Sequence, residues 1–306
     1  MLFFALSLVL ITALVALPQL LQHQGILENE IPFVPLVILG SWIPNIAAFL
    51  VIAFVLKESG GVRRLLREWT RWRISLRWYL VALSALAVSL VAAAAYVLVE
   101  PLIQSARFGA DYVAGTAASQ SGTVGGGALD PVNGLTLPMI LGVLLLNLVT
   151  GAMGEELGWR GFALPRLQTR WNALVSSMIL GLIWGVWHLP LWFAGIGWEQ
   201  MSFWLFLWNC VAMSVIYTWI CNNTRGNMVI VTLFHMLYNF GFFLVSTLWS
   251  IPMEKGIAYL AVVLTVYAAV LIRRFGARTL KDGPGPVPMD EGKGARRNDF
   301  AAGEAS

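Results

Sequence analysis

Two adjacent carboxylates and an arginine stand at Glu155, Glu156 and Arg160, at the end of a segment otherwise apolar enough to lie in lipid. Ionisable side chains at membrane depth are costly and are by default candidates for function. Two of the three histidines, His188 and His235, also fall inside apolar segments. Carboxylates and imidazoles are the groups that move protons near neutral pH. The scarce polar chemistry of this chain is therefore concentrated where solvation makes it most expensive.

The spacing separates these residues into roles. Asn147, Gly151 and Glu155 are four apart and share one stripe of a helix. Gly151, Gly154, Gly158 and Gly161 recur every three to four residues, which predicts close approach of neighbouring helices and a packed setting for Glu155. Glu156 is rotated about 100° away and lies one turn before Arg160, the spacing of an ion pair. A carboxylate held by a cation is a poor proton acceptor, so Glu155 is the better general base for hydrolysis by an activated water. A lone Glu-Glu pair would also serve as a solvated helix end. His235 and Asn239, four apart, share one face and could donate together to a developing oxyanion, or bond to a neighbouring helix. His188 stands just before Leu189-Pro190, where a proline frees backbone groups, and by itself it also reads as an interfacial histidine.

The elements that must position these groups are membrane helices. Hydrophobic residues are 58% of the 306 positions and charged residues 12%, against roughly a quarter charged in soluble domains. Stretches of about 20 apolar residues predict about eight spans, near 2–21, 33–56, 78–99, 136–154, 174–195, 203–221, 228–248 and 257–272. The fold class expected is all-α, a polytopic transmembrane bundle forming a single domain over 1–275. The first apolar run has no Lys or Arg before it and reads as an uncleaved helix rather than a signal peptide. Basic residues fall in alternate loops: Arg63 to Arg77, Arg160 to Arg170, Arg225, and Arg273 to Lys281. The positive-inside rule makes these loops and both termini cytoplasmic. The net charge of +4 reports orientation, not nucleic-acid binding.

In the loop 57–77 arginines alternate with Leu65, Leu66, Trp69, Trp72 and Ile74, which predicts an interfacial cytoplasmic helix. The segment 158–173 reads as a smaller interfacial connector. Gly181 and Gly185 give the fifth span a packing face. The glycine-rich loop 100–135 and the tail 276–306 read as flexible and disordered. Cys210 and Cys221, eleven residues apart in one helix, are about 16 Å apart and out of disulfide reach.

Glu-Glu-xxx-Arg, an intramembrane histidine one helix later and His-xxx-Asn after two more helices form a three-part pattern over about 136–248. That pattern resembles the CPBP family of intramembrane proteases, which includes the type II CAAX prenyl endopeptidase and bacterial relatives of the bacteriocin-immunity (Abi) kind. Glu155, Glu156 and Arg160 match the first motif, His188 the second, and His235 with Asn239 the third. The Phe usual four residues before the second-motif histidine is Trp184 here.

The resemblance implies a membrane-embedded endopeptidase of the cell membrane, opening to the cytoplasm and acting on membrane-associated, CAAX-type prenylated or other, protein substrates. In it Glu155 with His188 activates water, His235 with Asn239 stabilises the oxyanion, and Glu156 with Arg160 gives structural support. An older family view makes Glu155, His188 and His235 zinc ligands. No His-Glu-xx-His helix is present, and the sequence leaves both views open. A catalytically silent scaffold or immunity factor of the same fold is one alternative. An ion-coupled transporter is another, for which repeated halves are expected and none is visible. Oligomeric state is not readable from the chain. Counted from the cytoplasmic helix ends, His235 lies roughly 10 Å deep and His188 roughly 21 Å. A common site predicts that the fifth span starts later than residue 174.

Overall fold

A computed structural model describes residues 1–29, 31–108 and 135–283. Eight of its helices are long and apolar enough to cross a membrane. They are α1 (Leu2–His23), α2 (Phe33–Val55), α4 (Leu76–Phe108), α5 (Leu137–Gln168), α6 (Ala173–Phe193), α7 (Phe203–Thr224), α8 (Met228–Leu248) and α9 (Met253–Phe275). A short amphipathic helix, α3 (Gly61–Arg67), joins α2 to α4. No strand occurs among the described residues. In hydrocarbon every backbone polar group must be satisfied within the protein, which helices do segment by segment. The eight apolar helices mark an integral membrane protein. Leu80, Leu98, Leu102 and Val266 are among the many large apolar side chains exposed on its outside, as lipid contact requires.

Side-chain caps fix several helix starts. Asn172 Oδ1 accepts from Val175 N at 2.9 Å and Asn227 Oδ1 from Ile230 N at 3.1 Å. Arg225, in the left-handed region at φ 57°, ends α7. α4 packs chiefly on α8 and α9, α7 on α6 and α9, and α2 on α5. The close approach of α6 to α7 uses Gly181, where a Cβ would lie 2.6 Å from Val211 Cα.

The bundle has two ends, each tied together by its loops. At one, Arg71 donates to Arg225 O at 2.8 Å, Asn227 donates to Arg71 O at 2.6 Å, and Ala173 N donates to Arg278 O at 3.0 Å. At the other, Lys255 pairs with Glu100 at 2.9 Å, and Gly195, at φ +69°, packs against the His23 ring.

Four expectations are corrected, the first being that residues 100–108, read as the start of a flexible loop, continue α4. The segment 158–173 is largely not interfacial, because Trp159, Arg160 and Leu164 are 0% exposed and Phe162 is buried with them. The first residues of the tail are packed: Asn222 and Asn223 donate to Thr279 O and Leu280 O, and Leu280 is fully buried. The remainder expected to be disordered, 284–306, lies outside the described residues, as does 109–134 of the loop. The fifth span begins at Ala173, so a later start does not bring His188 level with His235.

Candidate active site

α5 is not one regular helix. Thr150 has φ −82° and ψ −141°, and wide π turns occupy Leu148–Ala152 and Leu157–Ala163 on either side of a short α segment, Met153–Glu156. Such turns leave backbone groups without their usual partners, and in lipid another helix must supply them. α2 does so. Trp42 Nε1 donates to Val149 O at 2.8 Å, Asn45 Nδ2 donates to Met153 O at 2.7 Å, and Asn45 Oδ1 accepts from Gly158 N at 2.8 Å. The glycines make the approach feasible: a Cβ on Gly154 would lie 2.6 Å from Ser41 O, and one on Gly158 2.5 Å from the Pro44 carbonyl.

The break at Thr150 interrupts the stripe expected of Asn147, Gly151 and Glu155. Asn147 turns back to donate to Val143 O at 2.9 Å and stays outside the cluster. Gly151 and Glu155 remain together. From the position of a Cβ on Gly151, Asn239 Nδ2 is 3.2 Å away, and Glu155 Oε1 and His235 Nε2 are each 3.5 Å away. Three candidate groups from two helices thus converge on the space in front of a residue that has no side chain.

Glu156 and Arg160 pair as the spacing predicts, at 3.1 Å with both side chains 0% exposed. The arginine packs against two rings, its Cζ 4.4 Å from the Trp184 centroid and 4.2 Å from that of Tyr217. Glu156 Oε1 has a second partner that the sequence did not reveal, His235 Nδ1 at 2.7 Å. With Nδ1 donating to Glu156, the ring is fixed and Nε2 is presented toward Gly151. Glu156 therefore orients a candidate catalytic histidine as well as pairing with Arg160.

Trp184 is the residue that sequence reasoning underrated. Its indole Nε1 donates to Glu155 Oε2 at 2.6 Å, a bond the usual Phe could not make. The sole sequence signal was the departure from the family pattern at this position. Trp184 also explains the depth mismatch. It lies one turn before His188 and is the α6 residue level with Glu155 and His235, its ring centroid 5.7 Å from that of His235. His188 sits one turn beyond, with Nδ1 2.8 Å from Trp184 O and its ring packed against Trp187, Phe206 and Trp198. The structure brings Glu155, His235 and Asn239 together directly and His188 to the same cavity.

That cavity has a volume of about 610 Å³. Among the described residues Glu155 is its one carboxylate, and Trp184, Leu191, Phe206, Met213 and Phe242 are among its walls. Among the described residues no three His, Cys, Asp or Glu side chains are grouped so as to hold a metal ion, so Glu155, His188 and His235 do not fit a zinc site as arranged. Cys210 and Cys221 are free and buried.

Comparison with known proteins finds similarity in this same region. The family described as Type II CAAX prenyl endopeptidase Rce1-like matches residues 137–241. A CAAX prenyl protease 2 of Methanococcus maripaludis is 31% identical over 136 residues, 42% of this chain. The match spans about half of that relative, 49% of its length. The segment that carries Glu155, Glu156, Arg160, His188, His235 and Asn239 is therefore similar to the Rce1-like type II CAAX prenyl endopeptidases.

Proposed function

We propose that this chain is an intramembrane endopeptidase that hydrolyses peptide bonds of membrane-associated proteins with a water activated by Glu155. The observation that carries this reading is the convergence of Glu155 Oε1, His235 Nε2 and the Asn239 amide on the space before Gly151. Glu155 takes a proton from water, which attacks the scissile carbonyl, and afterwards returns it to the leaving amine. Asn239 and His235 donate to the oxyanion that forms. To donate through Nε2 while Nδ1 donates to Glu156, His235 carries both protons, so that Glu155 and Glu156 together offset Arg160 and the imidazolium. Trp184 holds the carboxylate of Glu155 in place, and His188, on the wall of the same cavity, assists Glu155 in activating the water.

No step passes through a metal, in keeping with the lack of a grouped ligand set among the described residues. Exhaustive chelation of the purified protein is expected to leave its rate unchanged; loss of activity restored by zinc alone would return the older family view. The arginine-bearing end, where α1 starts and α9 stops, faces the cytoplasm by the positive-inside rule.

The relative's name makes a prenylated CAAX peptide the first substrate to offer, beside its unprenylated counterpart and an unrelated membrane peptide. Mass spectrometry of the products tests the reading, which fails if none is cut at an internal bond. Trp184→Phe keeps the ring and removes the donor to Glu155. Losing a hydrogen bond to a charged group costs about 1.5–3 kcal/mol, so kcat is expected to fall by about ten- to a hundredfold with KM little changed. An unchanged kcat would show that the indole bond is not used.

A further inference from the structure

The connections at the arginine-bearing end enclose a second cavity, of about 320 Å³, which shares no wall residue with the candidate active site. Its walls come from three places: the end of α2 with α3, the last turns of α5, and the turn Arg225-Gly226 between α7 and α8. Gly161 lets α3 seat against α5, since a Cβ there would lie 2.6 Å from Leu65 Cδ1. Cavities of about 300 Å³ and above are the size that small ligands occupy.

Arg64, Arg166 and Arg225 line this cleft together with Glu58 and Glu68. The Glu58 carboxylate holds Arg64 and Arg166 at 3.2 Å each. The backbone holds them again, through Ser59 O at 3.2 Å and Phe162 O at 3.0 Å. Both guanidinium groups are thereby set in place, with further N–H groups to spare on each. Glu68 is paired with Arg71 from beside the cleft. Arg225 accepts from Arg71 through its carbonyl at 2.8 Å, and among the described residues its guanidinium has no carboxylate partner. Four arginines thus stand against two carboxylates, and the surplus positive charge faces one concave space. Arg225 also holds φ 57°, a left-handed conformation that glycine adopts at lower cost. The backbone alone gives no reason for an arginine at that position.

From this arrangement we infer that the cleft binds a phosphate group, carried by the headgroup of an anionic phospholipid. Guanidinium groups bond phosphate oxygens through paired N–H contacts, and the surplus charge of the cleft complements a phosphate ester. Basic pockets between membrane helices on the cytoplasmic side suit such headgroups. Phe54 and Leu56, just before Glu58, and Leu66 on α3 are exposed apolar side chains, a border fit for acyl chains rather than for water. An occupant of the cleft joins α3, α5 and the start of α8, so it braces the helices that carry Glu155 and His235. Such binding does not depend on the peptidase reading, and its test needs no substrate.

The test uses the purified full chain in a neutral detergent. Phosphatidylglycerol, phosphatidylcholine and inorganic phosphate are each titrated at constant ionic strength, with thermal unfolding as the readout and native mass spectrometry to count retained lipid. Phosphatidylglycerol is expected to raise the unfolding midpoint saturably, and phosphatidylcholine to leave it unchanged. Arg225→Gly suits the φ of its position and so keeps the fold. It and Arg64→Gln are each expected to weaken the apparent affinity about fivefold, the weight of one basic side chain at an anionic membrane surface. Arg170→Gln, at the same end but outside the cleft, is expected to leave the affinity unchanged. Stabilisation by phosphatidylglycerol with none from inorganic phosphate supports the lipid headgroup. Stabilisation by inorganic phosphate that phosphatidylglycerol does not exceed overturns the lipid source and leaves a site for soluble phosphate. Binding at the cleft is refuted if neither ligand stabilises the protein, or if Arg170→Gln weakens binding as much as the two cleft variants.

Discussion

Glu155→Gln is expected to lower the rate of peptide cleavage by about 10²- to 10⁴-fold, the usual contribution of a general base, while the protein still folds and inserts. The amide oxygen of glutamine can keep accepting from Trp184 Nε1, which now bonds Glu155 Oε2 at 2.6 Å, so the geometry is preserved and only basicity is lost. Among the described residues Glu155 is the one carboxylate of the cavity, and the two histidines on its walls are engaged at Nδ1, His235 with Glu156 and His188 with Trp184 O. The hydroxyls of Ser41 and Thr150 donate to their own helices, at Ile38 O and Leu146 O. Neither hydroxyl therefore has a base at hand to make it a nucleophile. Single-turnover cleavage by the purified variant is the measurement. Full activity in Glu155→Gln would remove Glu155 as the base. An immunity phenotype in cells that persisted without cleavage would favour the scaffold alternative.

Arg160→Ala is expected to destabilise the bundle by about 3–5 kcal/mol, the range for removing one partner of a buried ion pair. Glu156 and Arg160 are both 0% exposed, so the remaining carboxylate would have no solvent to turn to. The guanidinium also packs against the Trp184 and Tyr217 rings, and its loss leaves a gap beside them. The double variant Glu156→Leu/Arg160→Met removes both charges and is expected to recover most of the stability, as apolar replacement of buried pairs often does. It is expected to stay inactive, because His235 Nδ1 then loses its partner on Glu156. Thermal unfolding in detergent, read beside activity for the single and double variants, separates the two roles. A single variant as stable as the parent would show that the pair is not holding the fold.

Much of the architecture was legible because it is written in local periodicity. The eight apolar stretches match eight helices, and the Glu156–Arg160 pair follows from a four-residue spacing. The glycine spacing forecast close helix contacts, and two of those glycines, Gly154 and Gly158, do meet Ser41 and Pro44 of α2. What spacing could not supply was anything that depends on a partner from another helix. The regular stripe through Asn147 was lost because Thr150 breaks the helix. The signs of what repairs that break, Trp42 and Asn45 within an apolar run, were in the sequence but had no visible purpose there.

The sequence by itself determined the helices, their alternating directions, the charge asymmetry of their ends and the residues fit for proton transfer. Hydropathy and a 3.6-residue repeat are properties of a segment alone. Only the tertiary structure decided that His235 is held by Glu156 and that Trp184 rather than His188 reaches Glu155. Those relations depend on the kink in α5 and on the relative height of separate helices, which no spacing along one segment encodes.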